Sequence, residues 1–258
     1  MTAITISEVI AQLNEIVTRS ADVSERAGYF AALYKRVTIA VADKTKQGYF
    51  DDNTRMEKLD IVFANRYLEA YQNYRGGKSC SHCWQLAFDT TKLWKPMILH
   101  HLLAGMNAHI SLDLGVAAAT VSPGAGINDV QNDFYKINEV LKELVEELKT
   151  DLFDMWPLSK LLVKLNIGKF ENELAGFSRT IARDAAWQQA IDYAPLNTEV
   201  LRDAFIYERD ETVTAFGKKF LYPGRWITFV MSVLRVFEFG TISSKIKKLD
   251  RELVTATV

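Results

Sequence analysis

Apolar residues recur every three to four positions along most of the chain, and few stretches alternate apolar with polar residues. A period near 3.6 is typical of amphipathic helices, whereas half-buried strands alternate with period two. The pattern therefore predicts an all-α fold and disfavours a parallel sheet of alternating strands and helices. The predicted helices cover 6–18, 24–47, 54–75, 82–91, 96–120, 128–148, 158–165, 171–193, 199–214 and 226–251, with a break at 151–157.

The chain offers few points at which it could divide into domains. It contains 13 Gly and 5 Pro, and no low-complexity linker, internal repeat or block of like charge interrupts it. A chain of 258 residues is long enough to bury one large core. We therefore predict a single compact domain over residues 1–258, a bundle of about eight to ten helices around a buried central helix.

The helix predicted over 96–120 is apolar on almost every side, yet it carries three of the four histidines. Such a helix is expected to be buried, and buried imidazoles and carboxylates are costly unless they are paired or bound to metal. Steps of four residues along this helix reach a series of polar or small residues: His101, Gly105, His109 and Asp113. The sequence therefore predicts one buried polar site on this helix, centred on His109 and Asp113.

One interpretation of the site is a divalent transition metal. His109 and Asp113 lie one helical turn apart, which suits chelation of one ion. His101 lies two turns from His109, about 12 Å along the axis, which is too far for both to bind that ion. Further ligands would have to come from other helices, and the candidates are Glu69, Asp129, Asp133 and Asn138. The Glu-x-x-His pairs of di-iron carboxylate proteins are absent.

A second interpretation needs no metal. A buried histidine held by an aspartate one turn away has a fixed tautomer and an adjustable pKa, as general acid–base catalysis requires. Asn107, seven residues from His100, is positioned to orient a substrate carbonyl. The catalytic candidates are His101, Asn107, His109 and Asp113. A third interpretation is structural: the same polar groups satisfy one another across helices and fix the packing.

The motif around this site is similar to that of a known family. Residues 107–115 have the form Asn-Ala-His-Ile-x-Leu-Asp-Leu-Gly and follow Leu-Leu-Ala-Gly-Met. This resembles the signature of an uncharacterised bacterial family of about this length, a domain of unknown function. Shorter similar pieces lie at 60–70, 133–134 and 185–190, so the resemblance extends over most of the chain. It implies a site at the motif and no established activity.

The function expected from these residues is an enzyme acting on a small molecule, with metal-assisted hydrolase or lyase chemistry as one form. The alternatives are a non-catalytic binding module for a hydrophobic small molecule or lipid, and a helical interaction protein without a pocket. The net charge of −1 gives no reason to expect nucleic acid or a membrane surface as partner. The N-terminus lacks the pattern of a signal peptide, and we find no uncharged apolar run of about 18 residues. We therefore expect a cytoplasmic protein without a membrane span.

Three further polar side chains bear on the chemistry. Cys80 and Cys83 have the spacing of a redox pair, but such a pair normally opens a helix after a strand, and no strand is expected here. A zinc site would need more ligands than these two thiols supply. Structural thiols in a reducing compartment are therefore favoured. Arg66, on an apolar helix face, is expected to pair with a buried carboxylate or to hold an anionic group of a substrate.

Overall fold

The computed structural model describes residues 2–137, 139–140, 184–222, 224, 231–233 and 235–251. Every regular element within these residues is a helix, which confirms the predicted all-α fold. We number nine of the α-helices: α1 (Ile6–Asp22), α2 (Gly28–Lys46), α3 (Asn53–Arg75), α4 (His82–Thr91), α5 (Ile98–Ala108), α6 (Gly115–Val121), α7 (Asp184–Tyr193), α8 (Glu199–Leu221) and α9 (Ile242–Leu249). Residues 131–137, 139–140, 231–233 and 235–236 are helical as well. A π-helical segment (His109–Leu114) joins α5 to α6, and a 3-10 helix (Gly124–Val130) follows α6.

The predicted central helix is present as one continuous element from Ile98 to Val121, and it is buried as expected. It is the one helix among the described residues whose length and apolar composition would suffice to cross a membrane. However, 94% of its most apolar window is buried inside the protein, as in the core helix of a soluble protein. The helix therefore serves as the axis on which the other helices pack.

The neighbouring α2 runs parallel to the central helix. Phe30 packs on Gly105, where a Cβ atom would lie 2.5 Å from the phenyl ring. One turn later in both helices, the ring centroids of Tyr34 and His109 are 4.4 Å apart. The glycine therefore permits a close crossing that brings the aromatic residues of α2 against the histidine.

The helix α8 runs antiparallel to the central helix. Arg209 Nε donates to the Ser111 carbonyl at 3.0 Å, and Asn107 Nδ2 donates to the Val213 carbonyl at 2.9 Å. Residue numbers therefore rise along α8 in the direction in which they fall along the central helix. The C-terminus of α8 consequently lies at the same end of the molecule as the N-terminus of α5.

The predicted helix over 226–251 is wrong, because the chain is not helical at residues 238–241 and α9 begins only at Ile242. The preceding helical residues stop at Val236, Gly240 adopts φ +94°, and the Thr241 hydroxyl then accepts a hydrogen bond from the Ser244 amide as the N-cap of α9. The start predicted for α2 is also wrong, because Ser24 has φ 56° and the helix begins at Gly28. The predictions for 141–148, 151–157, 158–165 and much of 171–193 lie outside the described residues.

Substitution of Gly115 by alanine is expected to destabilise the crossing of α6 with α7. A Cβ atom there would lie 2.8 Å from the Ala186 carbonyl oxygen, and backbone cannot yield as a flexible side chain can. We expect Gly115→Ala to lower the free energy of unfolding by about 1–3 kcal/mol, measured by urea denaturation, although alanine favours a helix by about 1 kcal/mol. Gly126→Ala is the control, because a Cβ atom added at Gly126 would meet no described atom within 4 Å. Equal stability of Gly115→Ala and the parent would contradict the close crossing.

Candidate functional site

His109 and Asp113 form a buried contact inside the π-helical segment. Their side chains are 3% and 2% exposed, and His109 Nδ1 lies 3.3 Å from Asp113 Oδ2. A π-helix hydrogen-bonds from i to i+5 and is rare, appearing often at functional sites. The wide turn also directs backbone carbonyls sideways: Ser111 accepts from Arg209 at 3.0 Å, and Leu112 accepts from Gln189 at 2.8 Å. Side chains of α7 and α8 therefore hold this segment in place.

Three elements deliver hydrogen-bond donors to the carboxylate of Asp113. Arg66 Nε in α3 donates to Oδ1 at 2.7 Å, and Trp84 Nε1 in α4 donates to Oδ2 at 2.8 Å. Burial raises the pKa of Asp113, but the charge of Arg66 and the hydrogen bonds from His109 and Trp84 together hold it below its ordinary value. Asp113 is therefore a carboxylate at neutral pH.

Aromatic rings enclose the imidazole of His109. Phe63 stacks on it with centroids 3.6 Å apart and planes inclined by 5°, and Tyr34 meets it edge-on at 4.4 Å. The other rings within about 6 Å belong to Phe30, Tyr67 and Trp84. Burial lowers the pKa of His109, and this effect outweighs the opposing hydrogen bond and charge of Asp113. His109 is therefore neutral at neutral pH.

The two ring nitrogens of His109 have different surroundings. A neutral imidazole carries one proton, and a carboxylate opposite Nδ1 places that proton on Nδ1. The other nitrogen, Nε2, is then an acceptor, and it is buried with no hydrogen-bond partner among the described residues. A buried polar atom without a partner is uncommon and calls for an explanation such as a ligand or a catalytic role.

His101 and His100 do not join this pair in the structure. His101 packs against Tyr29 with ring centroids 5.7 Å apart, and burial lowers its pKa to about 3. His100 Nδ1 accepts the Met97 amide at 3.2 Å, which caps the start of α5, and burial lowers the pKa of His100 to about 4. Steps of four residues advance a helix by about 400°, so His101 is rotated by about 80° from His109. The stripe predicted from the sequence therefore winds around the helix.

Asn107 is directed towards α8. Its Nδ2 donates to the Val213 carbonyl at 2.9 Å, and its Oδ1 accepts from the Ser111 hydroxyl at 3.4 Å. Asn107 is only 2% exposed, so these bonds satisfy an amide that would otherwise be costly to bury. The structure thus places Asn107 in the packing of α8 on α5.

The predicted metal ligands do not converge with His109. Glu69 and Asp129 are exposed, and Asn138 lies outside the described residues. Asp133 instead accepts the backbone amides of Asp51 and Asp52 at 2.7 and 3.0 Å.

The oxygens of Asp113 are likewise occupied by donors from Arg66, Trp84 and His109. Within the part of the chain that the structure describes, no group of three or more His, Cys, Asp or Glu is arranged to hold an ion. The described members of the proposed donor set therefore do not come together around His109 and Asp113.

The environment of Cys80 and Cys83 favours structural thiols. The carboxylate of Asp210 accepts the amides of His82 and Cys83 at 2.5 and 2.8 Å, at the start of α4. Reactive thiolates use such a helix N-terminus to lower their pKa. Here a carboxylate occupies it, and burial together with Asp210 raises the pKa of Cys80 to about 11 and that of Cys83 well above its ordinary value.

Some members of the site could be predicted and others could not. Arg66 was expected to meet a buried carboxylate, and Asp113 is that carboxylate. Trp84, Gln189 and Arg209 were missed. For Trp84 a signal existed, because a buried indole N–H needs an acceptor.

The fold and the site together define an all-helical protein whose central helix carries a buried histidine–aspartate pair supported by an arginine and a tryptophan. The chain belongs to the family of unknown function DUF5995, which matches residues 6–223. The matched range includes Arg66, Trp84, His109 and Asp113. Comparison with curated proteins and with solved structures gives no match.

Proposed function

We propose that the protein is an enzyme that acts on a small molecule, with His109 as its general base. The observation that carries this proposal is the state of the imidazole: it is neutral, its Nδ1 faces Asp113, and its Nε2 has no partner among the described residues. An aspartate that fixes the tautomer of a histidine leaves Nε2 free to accept a proton.

The chemistry follows from these two residues. Nε2 removes a proton from the substrate or from a water molecule, and the carboxylate of Asp113 stabilises the imidazolium that forms. Removal of a proton from water begins a hydrolysis, whereas removal of a proton from the substrate begins an elimination by a lyase. The site therefore serves either class of enzyme. Arg66 stabilises the charge of Asp113 between turnovers, and its side chain is 28% exposed, so a substrate is expected to approach along it.

A second candidate function rests on the aromatic residues around His109. Phe30, Tyr34, Phe63, Tyr67 and Trp84 would also suit a flat apolar ligand that is bound without being changed. Release of the ligand chemically unchanged would favour this binding module over the enzyme.

The protonation state of His109 provides the first test. Nitrogen-15 NMR of the histidine side chains at neutral pH, with His109→Gln to assign the signals, is expected to show a neutral ring protonated at Nδ1. A proton on Nε2, or a charged imidazolium at this pH, would contradict the proposal, because neither leaves Nε2 able to accept a proton.

Turnover provides the second test. Pooled small metabolites are incubated with the protein in deuterium oxide and followed for deuterium uptake or hydrolysis. We expect His109→Gln to lose at least about a hundredfold in rate, the usual contribution of a general base. His82→Gln is the control, because His82 is an exposed histidine whose side chain is 56% accessible. Equal rates in both variants would remove His109 from the mechanism.

A further inference from the structure

Several chain segments meet at the end of the molecule where the central helix begins. Arg235 Nε donates to the Trp94 carbonyl at 3.2 Å, and Glu238 Oε1 accepts the Ile98 amide at 2.8 Å. Because α8 runs antiparallel to the central helix, its C-terminal residue Leu221 lies towards the same end as Ile98. We call this region the aromatic–basic end; it comprises residues 92–98, 216–222 and the described part of 231–247.

Large apolar side chains are exposed at the aromatic–basic end. Trp94 is 56% exposed, Val236 65% and Phe239 61%. Tyr222, Val233 and Phe237 add to the same surface. A soluble monomer seldom presents many such side chains together unless they bind something.

The charge of the aromatic–basic end is positive. Its exposed lysines are Lys92, which pairs with the exposed Asp89 at 3.5 Å, and Lys95, Lys218, Lys219 and Lys247, for which no ion pair with an acidic residue is found within the described part of the chain. Residues 212–249 contain seven Lys or Arg and one acidic residue, Glu238. Glu238 is buried and pairs with Arg235 at 2.6 Å and with Lys245 at 3.2 Å, so it does not offset the exposed lysines.

The opposite end of α8 carries the opposite charge. Glu199, Asp203 and Glu208 are exposed there. The net charge of −1 is therefore the near cancellation of unlike regions, and it does not describe the surface that a partner meets. The expectation of no membrane partner rested on that net value.

We propose that the aromatic–basic end binds the surface of an anionic lipid bilayer. Trp and Tyr favour the headgroup region, where an apolar ring and a polar tip are both accommodated, and Phe and Val can enter the acyl boundary. Each Lys or Arg near an anionic surface contributes about 1 kcal/mol. The centres of protein–protein interfaces are depleted in lysine, so lysines interspersed with exposed aromatic residues favour lipid phosphates over a protein partner.

Vesicle sedimentation of the full chain tests this proposal. We expect binding to vesicles of phosphatidylcholine with about one third phosphatidylglycerol, and at least about tenfold weaker binding to phosphatidylcholine alone. Raising the salt from about 0.1 to about 0.5 M should weaken binding to the anionic vesicles, because exposed charges are screened.

Matched variants locate the surface. Lys218→Glu with Lys219→Glu should weaken binding at least about tenfold. Lys44→Glu with Lys46→Glu makes the same charge change at the far end of α2 and should leave binding unchanged. Phe239→Ser should weaken binding, whereas Val200→Ser, at a residue 78% exposed at the start of α8, should not. Circular dichroism confirms that each variant is folded.

Three outcomes would overturn the proposal. Equal binding to both kinds of vesicle, or to neither, would show that anionic lipid is not recognised. An equal loss of vesicle binding in both double lysine variants would show that only the total charge of the protein matters. A dimer in light scattering that Phe239→Ser dissociates, without vesicle binding, would assign the surface to a second copy of the chain.

Discussion

The free energy of unfolding is expected to fall by about 3–5 kcal/mol when Asp113 is replaced by alanine. The carboxylate accepts hydrogen bonds from Arg66, Trp84 and His109, and its side chain is only 2% exposed. Alanine would leave the partly exposed guanidinium of Arg66 and two buried ring N–H groups without their acceptor, and buried donors without a partner are strongly destabilising. Urea denaturation at neutral pH measures the change.

Asp43→Ala serves as the control for this prediction. Asp43 also pairs with a cation, Lys46, but its side chain is 51% exposed, and the expected change is below about 1 kcal/mol. Asp113→Asn should fall between the two variants, because an amide oxygen still accepts a hydrogen bond but does not neutralise Arg66. A change below about 1 kcal/mol for Asp113→Ala would mean that the buried cluster contributes little to the fold.

Asp60→Asn is expected to stabilise the protein at pH 8 by about 4 kcal/mol and to have little effect at pH 4. Burial, with a smaller contribution from Glu57, raises the pKa of Asp60 to about 7, and its Oδ2 has no partner among the described residues. The unfolded chain ionises near pH 4, while the folded chain keeps its proton to about pH 7. The folded state therefore binds more protons in this window, and its stability falls as the pH rises. Asparagine does not ionise and escapes this cost.

Denaturation curves of the parent and of Asp60→Asn, measured from pH 4 to pH 8, test this pH dependence. The difference between them should grow from near zero at pH 4 to its full size above pH 7. Asp43→Asn, at an exposed carboxylate, should show no such growth. A constant difference between parent and Asp60→Asn would mean that Asp60 has an ordinary pKa in the folded protein.

The helices could be predicted from the sequence because the apolar period is a local property. The prediction over 82–91 coincides with α4, whose residues Cys83, Trp84, Ala87 and Phe88 form one buried face. The contact of His109 with Asp113 was likewise accessible, since it spans one helical turn. Their proposed chemical role remains a prediction.

The rest of the site depends on how helices meet. Arg66 and Asp113 are 47 positions apart, and nothing local to either residue identifies the other. The π-helical segment also escaped the sequence analysis, because its extra residue per turn leaves the apolar pattern almost unchanged. The net charge was a poor guide to the surface, because the sum of the charges does not show where Lys218 and Lys219 lie relative to Glu199.

The central helix also fixes how far the buried cluster stands from the end that carries the lysines. Eleven residues separate Ile98 from His109, which corresponds to about 16 Å at 1.5 Å per residue. On a bilayer, the imidazole would stand about two Debye lengths above the headgroups at physiological salt, about 8 Å each. The surface potential of the lipid would therefore not alter its protonation. A reactant would reach the imidazole from the aqueous side, and the bilayer would serve only to hold the protein at its surface.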